Sequence, residues 1–197
     1  MHYDSAPMAR PRTFNEGTVV QAALQTFWRQ GYASTSIPDL LSATNLHRGS
    51  LYKAFGDKHS LFERALETYL ETERRAMRDT LQAAESPLAG ITRWMSQVSE
   101  RCSGKDNASG CLAVNAMVEL GPADDRIRER LTRHWTLVGR QLAAAVEQAQ
   151  AAREVRIDVP APQLAEMVVL TVTGIAVFAR QGETKNVVPT VLALLSR

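Results

Sequence analysis

The chain is short of cysteine: Cys102 and Cys111 are the only two in 197 residues. That is too few for the disulfide framework of a secreted domain and suits a reducing cytoplasm. It is also short of net charge. Lys and Arg number 23 against 21 Asp and Glu, so a formal +2 excludes a protein that coats nucleic acid by bulk charge, and any DNA contact must come from local placement. The longest apolar stretch, 167–179, is interrupted by Thr171, Thr173 and Gly174 and falls short of the roughly 20 residues that cross a bilayer, so no membrane partner is expected. The opening MHYDSAPMARPRT lacks the apolar centre of an export signal, Met8 is a second candidate start, and the expected location is cytoplasmic. Strand signals, repeats and low-complexity blocks are lacking too.

What is present is apolar residues at helical spacing from Val19 to the end, which predicts an all-α fold. A first helix over 15–30 turns Val19, Ala22, Ala23, Leu24, Phe27 and Trp28 inward and is stopped by Gly31. Ser36 caps a short second helix, with Asp39 as the acidic member of a capping box and Pro38 where amide donors are unpaired anyway. Asn45 suits the positive φ of a sharp turn, and a third helix follows over 47–54. Asp57 caps a long fourth helix reaching about residue 82. Further helices are expected over 87–102, 111–120, 123–152, 162–181 and 186–196, with the loop SGKDNASG after the fifth and VRIDVPAP before the last two. The pattern is expected to divide into an N-terminal arm with three helices, 1–60, and a longer helical unit, 61–197.

Enzyme signatures are missing. Gly49 and the Gly56-Asp57-Lys58 run have the wrong spacing for a phosphate loop, and no HExxH, GxSxG or Cys-x-x-Cys element occurs. The two cysteines and four histidines lack metal-ligand spacing, so neither a metal nor a cofactor is expected.

Two short helices joined by a tight turn make a helix-turn-helix, whose second helix can enter a major groove. The run GYASTSIPDLLSATNLHRGSLYKAFGDKHSLF, residues 31–62, resembles the DNA-binding domain of the TetR family almost position by position. The resemblance implies a three-helix DNA-binding domain followed by a helical ligand-binding and dimerisation domain. It places Arg48 at the exposed start of the recognition helix, Gly49 and Ser50 where the backbone approaches DNA, and Tyr52 and Lys53 at phosphates or base edges. Arg can bond a guanine edge in bidentate fashion, and Gly49 removes a side chain that would hold the helix away. Lys58 adds charge beside unpaired amides, Thr35 is a further phosphate clamp, and Arg10 and Arg12 on the arm can reach a minor groove. Taken singly, each of these is also an ordinary solvated charge. His47 and Asn45 depart from the family, which commonly has Ser or Thr and Gly there.

In the second half, Trp94, Met95, Val98, Val114, Met117 and Trp135 are candidate cavity walls and Asn115 a polar group to orient a ligand; the alternative for each is core packing. The run GCLAVNAMVEL resembles the thiol-containing NemR-like subgroup of the family. This makes Cys111, at a helix start that favours a thiolate, a candidate redox sensor with Cys102 as resolving partner. Stripes at Leu164, Val168, Thr171, Ile175 and Phe178, and at Val188, Val191, Leu192 and Leu195, suit a four-helix homodimer interface, with intrachain core as the alternative. The whole implies a homodimeric repressor that grips double-stranded, palindromic operator DNA and is released by a small-molecule inducer or thiol modification. Rival readings are an activator, a small helical enzyme and a protein-binding adaptor without DNA binding.

Overall fold

Side chains replace the amide partners that the first residues of several of the helices lack. The computed structural model describes residues 14–103, 109–181 and 186–196. Helix α1 (Glu16–Gln30) starts on Asn15, whose side chain accepts from the Thr18 amide at 3.2 Å. It ends at Gly31, which takes φ +84° and donates its N–H to Phe27 O. Helix α2 (Ile37–Thr44) has the reciprocal capping box: Asp39 N–H donates to Ser36 Oγ and Ser36 N–H to Asp39 Oδ2. Asn45 then turns the chain in the left-handed region, φ 53° and ψ 36°, before α3 (Arg48–Phe55). Asp57 accepts from the Ser60 amide to open α4 (Lys58–Gln82).

The remaining helices are α5 (Pro87–Ser103), α6 (Leu112–Glu119), α7 (Asp125–Ala151), α8 (Ala161–Ala179) and α9 (Val188–Leu195), and no strand occurs among the described residues. The all-α expectation holds, with each expected helix present to within two residues or so at its ends.

Apolar side chains gather into two cores. The first joins α1–α4 around Phe27, Leu40, Leu51, Phe62 and Leu66, and takes in Leu112, Ala113 and Ala116 of α6 and Ile127 and Leu131 of α7. Phe27 and Phe62 meet edge-to-face at 5.0 Å. The second holds Met77, Ile91, Met95, Leu142, Val146, Val168 and Ile175. Burying a side chain of this size contributes about 1.5–3 kcal/mol, which fixes the short α2 and α3 far more firmly than helix propensity does. Helix α4 serves both cores, Leu61 to Leu70 in the first and Met77 in the second.

The expected dimer stripes need correction. Leu164, Val168 and Ile175 of α8, and Val188, Val191 and Leu195 of α9, are buried in the chain's own core, and Thr171 and Leu192 are partly covered. Of the named residues only Phe178 is well exposed, at 42%. The outward apolar positions are Leu170, Val177 and Phe178 on α8 and Leu194 on α9. Helix α8 carries apolar residues on its outer as well as its inner side, with a mean hydropathy of 1.6 that would suffice for crossing a membrane, so its periodicity did not separate inside from outside.

Candidate DNA-binding face and effector pocket

Leu51 and Phe55 lie four residues apart and are buried, anchoring one side of α3 on the first core. The other side is thereby exposed: Arg48, Gly49, Tyr52 and Lys53 face outward, with Ser50 partly covered. A β-carbon at Gly49 would meet nothing within 4 Å, so the surface there is open. Lys58 is partly buried, its Nζ lying 4.4 Å from the centre of the Tyr32 ring and 3.5 Å from Ala33 O. Thr35 is not a surface clamp. It is fully buried, and its hydroxyl donates to Gly31 O at 2.6 Å, tying the turn ahead of α2. Arg10 and Arg12 lie outside the described residues.

A cavity of about 50 Å³ opens in the second half, between α4, α5, α6, α7 and α8. Of the expected ligand residues it brings together Trp94, Val98, Val114 and Trp135, with Cys111 in the wall. It does not include Met95, which is fully buried in the core behind, or Met117, which is 38% exposed. Asn115 is turned away as well: its Nδ2 donates to Ser109 O at 2.7 Å, and it borders a separate outer cleft with Glu119 and Arg180. Tyr69, Glu73 and His134 line the cavity and were missed by the sequence reading. A usable signal existed for two of them, because Tyr69, Glu73 and Met77 recur every four residues and so share one face of α4.

The ionisable groups around the cavity are largely paired or neutral. Glu73 accepts from Arg101 at 2.8 Å, although burial still raises its carboxyl pKa. Burial drives His134 down to about 4, helped by Arg74. The imidazole is therefore neutral, and Arg74, a donor only, reaches Nδ1 at 3.3 Å, which puts the ring proton on Nε2. Burial raises the Cys111 thiol despite the Tyr69 hydroxyl that donates to Sγ at 3.4 Å, and it pushes Cys102 up to about 11. Desolvation thus works against the expected thiolate at the start of α6. Both cysteines are free.

Helix α6 joins this cavity to the helix-turn-helix. Cys111 and Val114 at its start face the cavity. At its end, Glu119 accepts from the amides of Tyr32 and Ala33 at 3.0 and 2.7 Å, in the turn between α1 and α2. Two further ties cross the same boundary: the Trp28 indole donates to Gly110 O at 3.0 Å, and His59 bonds Asp124, the cap of α7.

Comparison with known proteins agrees with both halves. Residues 19–65 match the model "Bacterial regulatory proteins, tetR family", and residues 87–192 match "Tetracyclin repressor-like, C-terminal domain". The chain is 26% identical over 174 residues to the HTH-type transcriptional repressor ComR of Escherichia coli, covering 88% of this chain and 83% of that one. It is 30% identical over 138 residues to the uncharacterized HTH-type regulator YezE of Bacillus subtilis, covering 70% and 69%. Among solved structures, a cysteine mutant of the regulator CifR complexed with 26 bp double-strand operator DNA superposes with a TM-score of 0.78 at 28% identity, covering 95% of this chain and 96% of that one. The reduced form of Escherichia coli NemR shares the fold, with a TM-score of 0.80 at 19% identity, covering 91% of this chain and 93% of that one. With models of both halves matched, the second across more than half its length, the chain belongs to the TetR family of bacterial transcription regulators.

Proposed function

We propose that this regulator is a cytoplasmic repressor which binds a near-palindromic operator as a homodimer and releases it when a small molecule enters the cavity behind α6. The observation that carries the reading is the exposed Arg48, Gly49, Tyr52 and Lys53 face of α3, held by a buried Leu51 and Phe55. The operator complex of CifR supports it, and the relatives named above are regulators rather than enzymes. A second copy covers the outward apolar faces of α8 and α9, which sets two recognition helices about 34–36 Å apart on successive major grooves. Release follows reversible binding rather than thiolate chemistry, because burial keeps Cys111 protonated.

The test is binding of the purified protein to DNA flanking its own gene, followed by fluorescence anisotropy. Arg48→Ala and Lys53→Ala should each weaken specific binding, by about 1–3 kcal/mol where a bidentate base contact is lost, without lowering the melting temperature. Lys58→Ala should weaken binding to all sequences and flatten the salt dependence. Unchanged affinity in all three variants would remove α3 as the reading head.

A further inference from the structure

The walls of the cavity restrict what can occupy it. Among the described residues no Lys or Arg lines it, so an anion would be buried without a countercharge. The one carboxylate among them, Glu73, is already engaged by Arg101, and burial works against its ionised form, so a cation would have to break that pair. His134 is neutral. The Tyr69 hydroxyl spends its proton on Cys111 Sγ. Among the polar groups left, the Thr173 hydroxyl and the His134 Nε2–H included, the indole N–H of Trp135 is the one buried without a hydrogen-bond partner, and Trp135 is part of the cavity wall. An indole nitrogen is a donor only, and a buried donor left unmade is costly. Apart from Thr173, the rest of the lining is apolar or aromatic, including Trp94, Met77, Val138 and Val172. A space of about 50 Å³ takes on the order of three to five water-sized groups.

Resting on the reading of this cavity as the effector site, we propose that the effector is a small uncharged molecule whose oxygen acceptor, of carbonyl type, takes the Trp135 indole N–H while its carbon skeleton fills the space between Trp94, Val138 and Val172. Binding is noncovalent and leaves the Cys111 thiol intact. Selectivity follows from the same inventory: the site rejects ions of either sign for want of a free countercharge, and discriminates against hydrocarbons because they leave the indole donor unpaired.

The full-length protein, labelled with nitrogen-15, is titrated with 2-butanone and in parallel with butyrate, butylammonium and 2-methyl-1-butene. These are similar in size and carry, respectively, an acceptor, a negative charge, a positive charge and no acceptor. The indole resonances of Trp28, Trp94 and Trp135 are followed by NMR and assigned with Trp→Phe variants. The expected result is a downfield shift of the Trp135 indole proton with 2-butanone, at least tenfold tighter binding than for the other three probes, and about a tenfold loss in Trp135→Phe. Equal or tighter binding of either ion or the alkene, a Trp135 resonance that does not move, or no binding by any probe overturns the proposal. Should Trp135→Phe fail to fold, the wild-type resonance decides alone. Operator binding is measured on the same samples. A protein that takes 2-butanone on Trp135 but never binds or never releases operator leaves this chemistry standing and overturns the regulator reading instead.

Discussion

Removing the Glu119 carboxylate tests whether the helix-turn-helix is held by α6. Glu119 receives two main-chain amides from residues 87 and 86 positions earlier, Tyr32 at 3.0 Å and Ala33 at 2.7 Å. A hydrogen bond to a charged group contributes about 1.5–3 kcal/mol when sheltered, but Glu119 is solvent-exposed, so water compensates much of the loss. Glu119→Ala should therefore cost about 1–2 kcal/mol for the pair. For a chain of this length that corresponds to a fall of roughly 2–8 °C in melting temperature. Glu119→Gln keeps one acceptor oxygen of the two and should lose about half as much. The sharper assay is amide hydrogen exchange. The same energy makes the Tyr32 and Ala33 amides exchange about 5–30 times faster in Glu119→Ala, while amides of α5 and α9 that exchange through local opening keep their rates. Effector-dependent release of operator should weaken in the same variant, because the end of α6 no longer grips the turn before α2. If Tyr32 and Ala33 exchange at the wild-type rate in Glu119→Ala, the clamp does not operate.

Leu170→Glu, at a position 65% exposed on α8, should give folded monomers by light scattering with poor operator binding, whereas a folded variant that stays dimeric refutes the outward-face interface. His134 has its pKa lowered to about 4 in the fold and near 6.5 when unfolded, so the unfolded chain binds the extra proton between those values. Its contribution is fully present above pH 6.5 and is lost as pH falls towards 4, by up to about 3 kcal/mol. Denaturant titrations should thus show the wild type losing more stability over that window than His134→Gln, and parallel pH curves would refute it. Cys111, protonated by burial, should react with iodoacetamide at pH 7 far more slowly than a free thiol; labelling at the free-thiol rate, read by mass spectrometry, would restore the thiolate-sensor reading.

The helix-turn-helix was legible because its determinants are local. The Ser36–Asp39 box, Asn45 and Asp57 each act within a few residues, and all three do in the structure what their spacing predicts. Thr35 was misread for the opposite reason, since a hydroxyl looks like a surface group until Gly31 O is seen 2.6 Å away. Part of the cavity was legible as large apolar residues on α5 to α7, but Met117 and Asn115 sit on faces of the short α6 that a helix serving two cores leaves undecided. Glu119 gave no signal at all, because its partners are main-chain amides that any sequence supplies.

The sharing of α4 bears on how such a protein can be recombined. At 1.5 Å per residue its 25 residues run about 37 Å, and a cut at 60/61 would strip Leu61, Phe62, Leu66 and Leu70 from the packing of α1 to α3. A graft of this reading head onto another sensor has its seam between Leu70 and Met77. Because Leu112, Ala113, Ala116, Ile127 and Leu131 also close the first core, the donor has to bring matching surfaces on two later helices. Modularity here is a property of matched surfaces, and a contiguous stretch of sequence does not carry it.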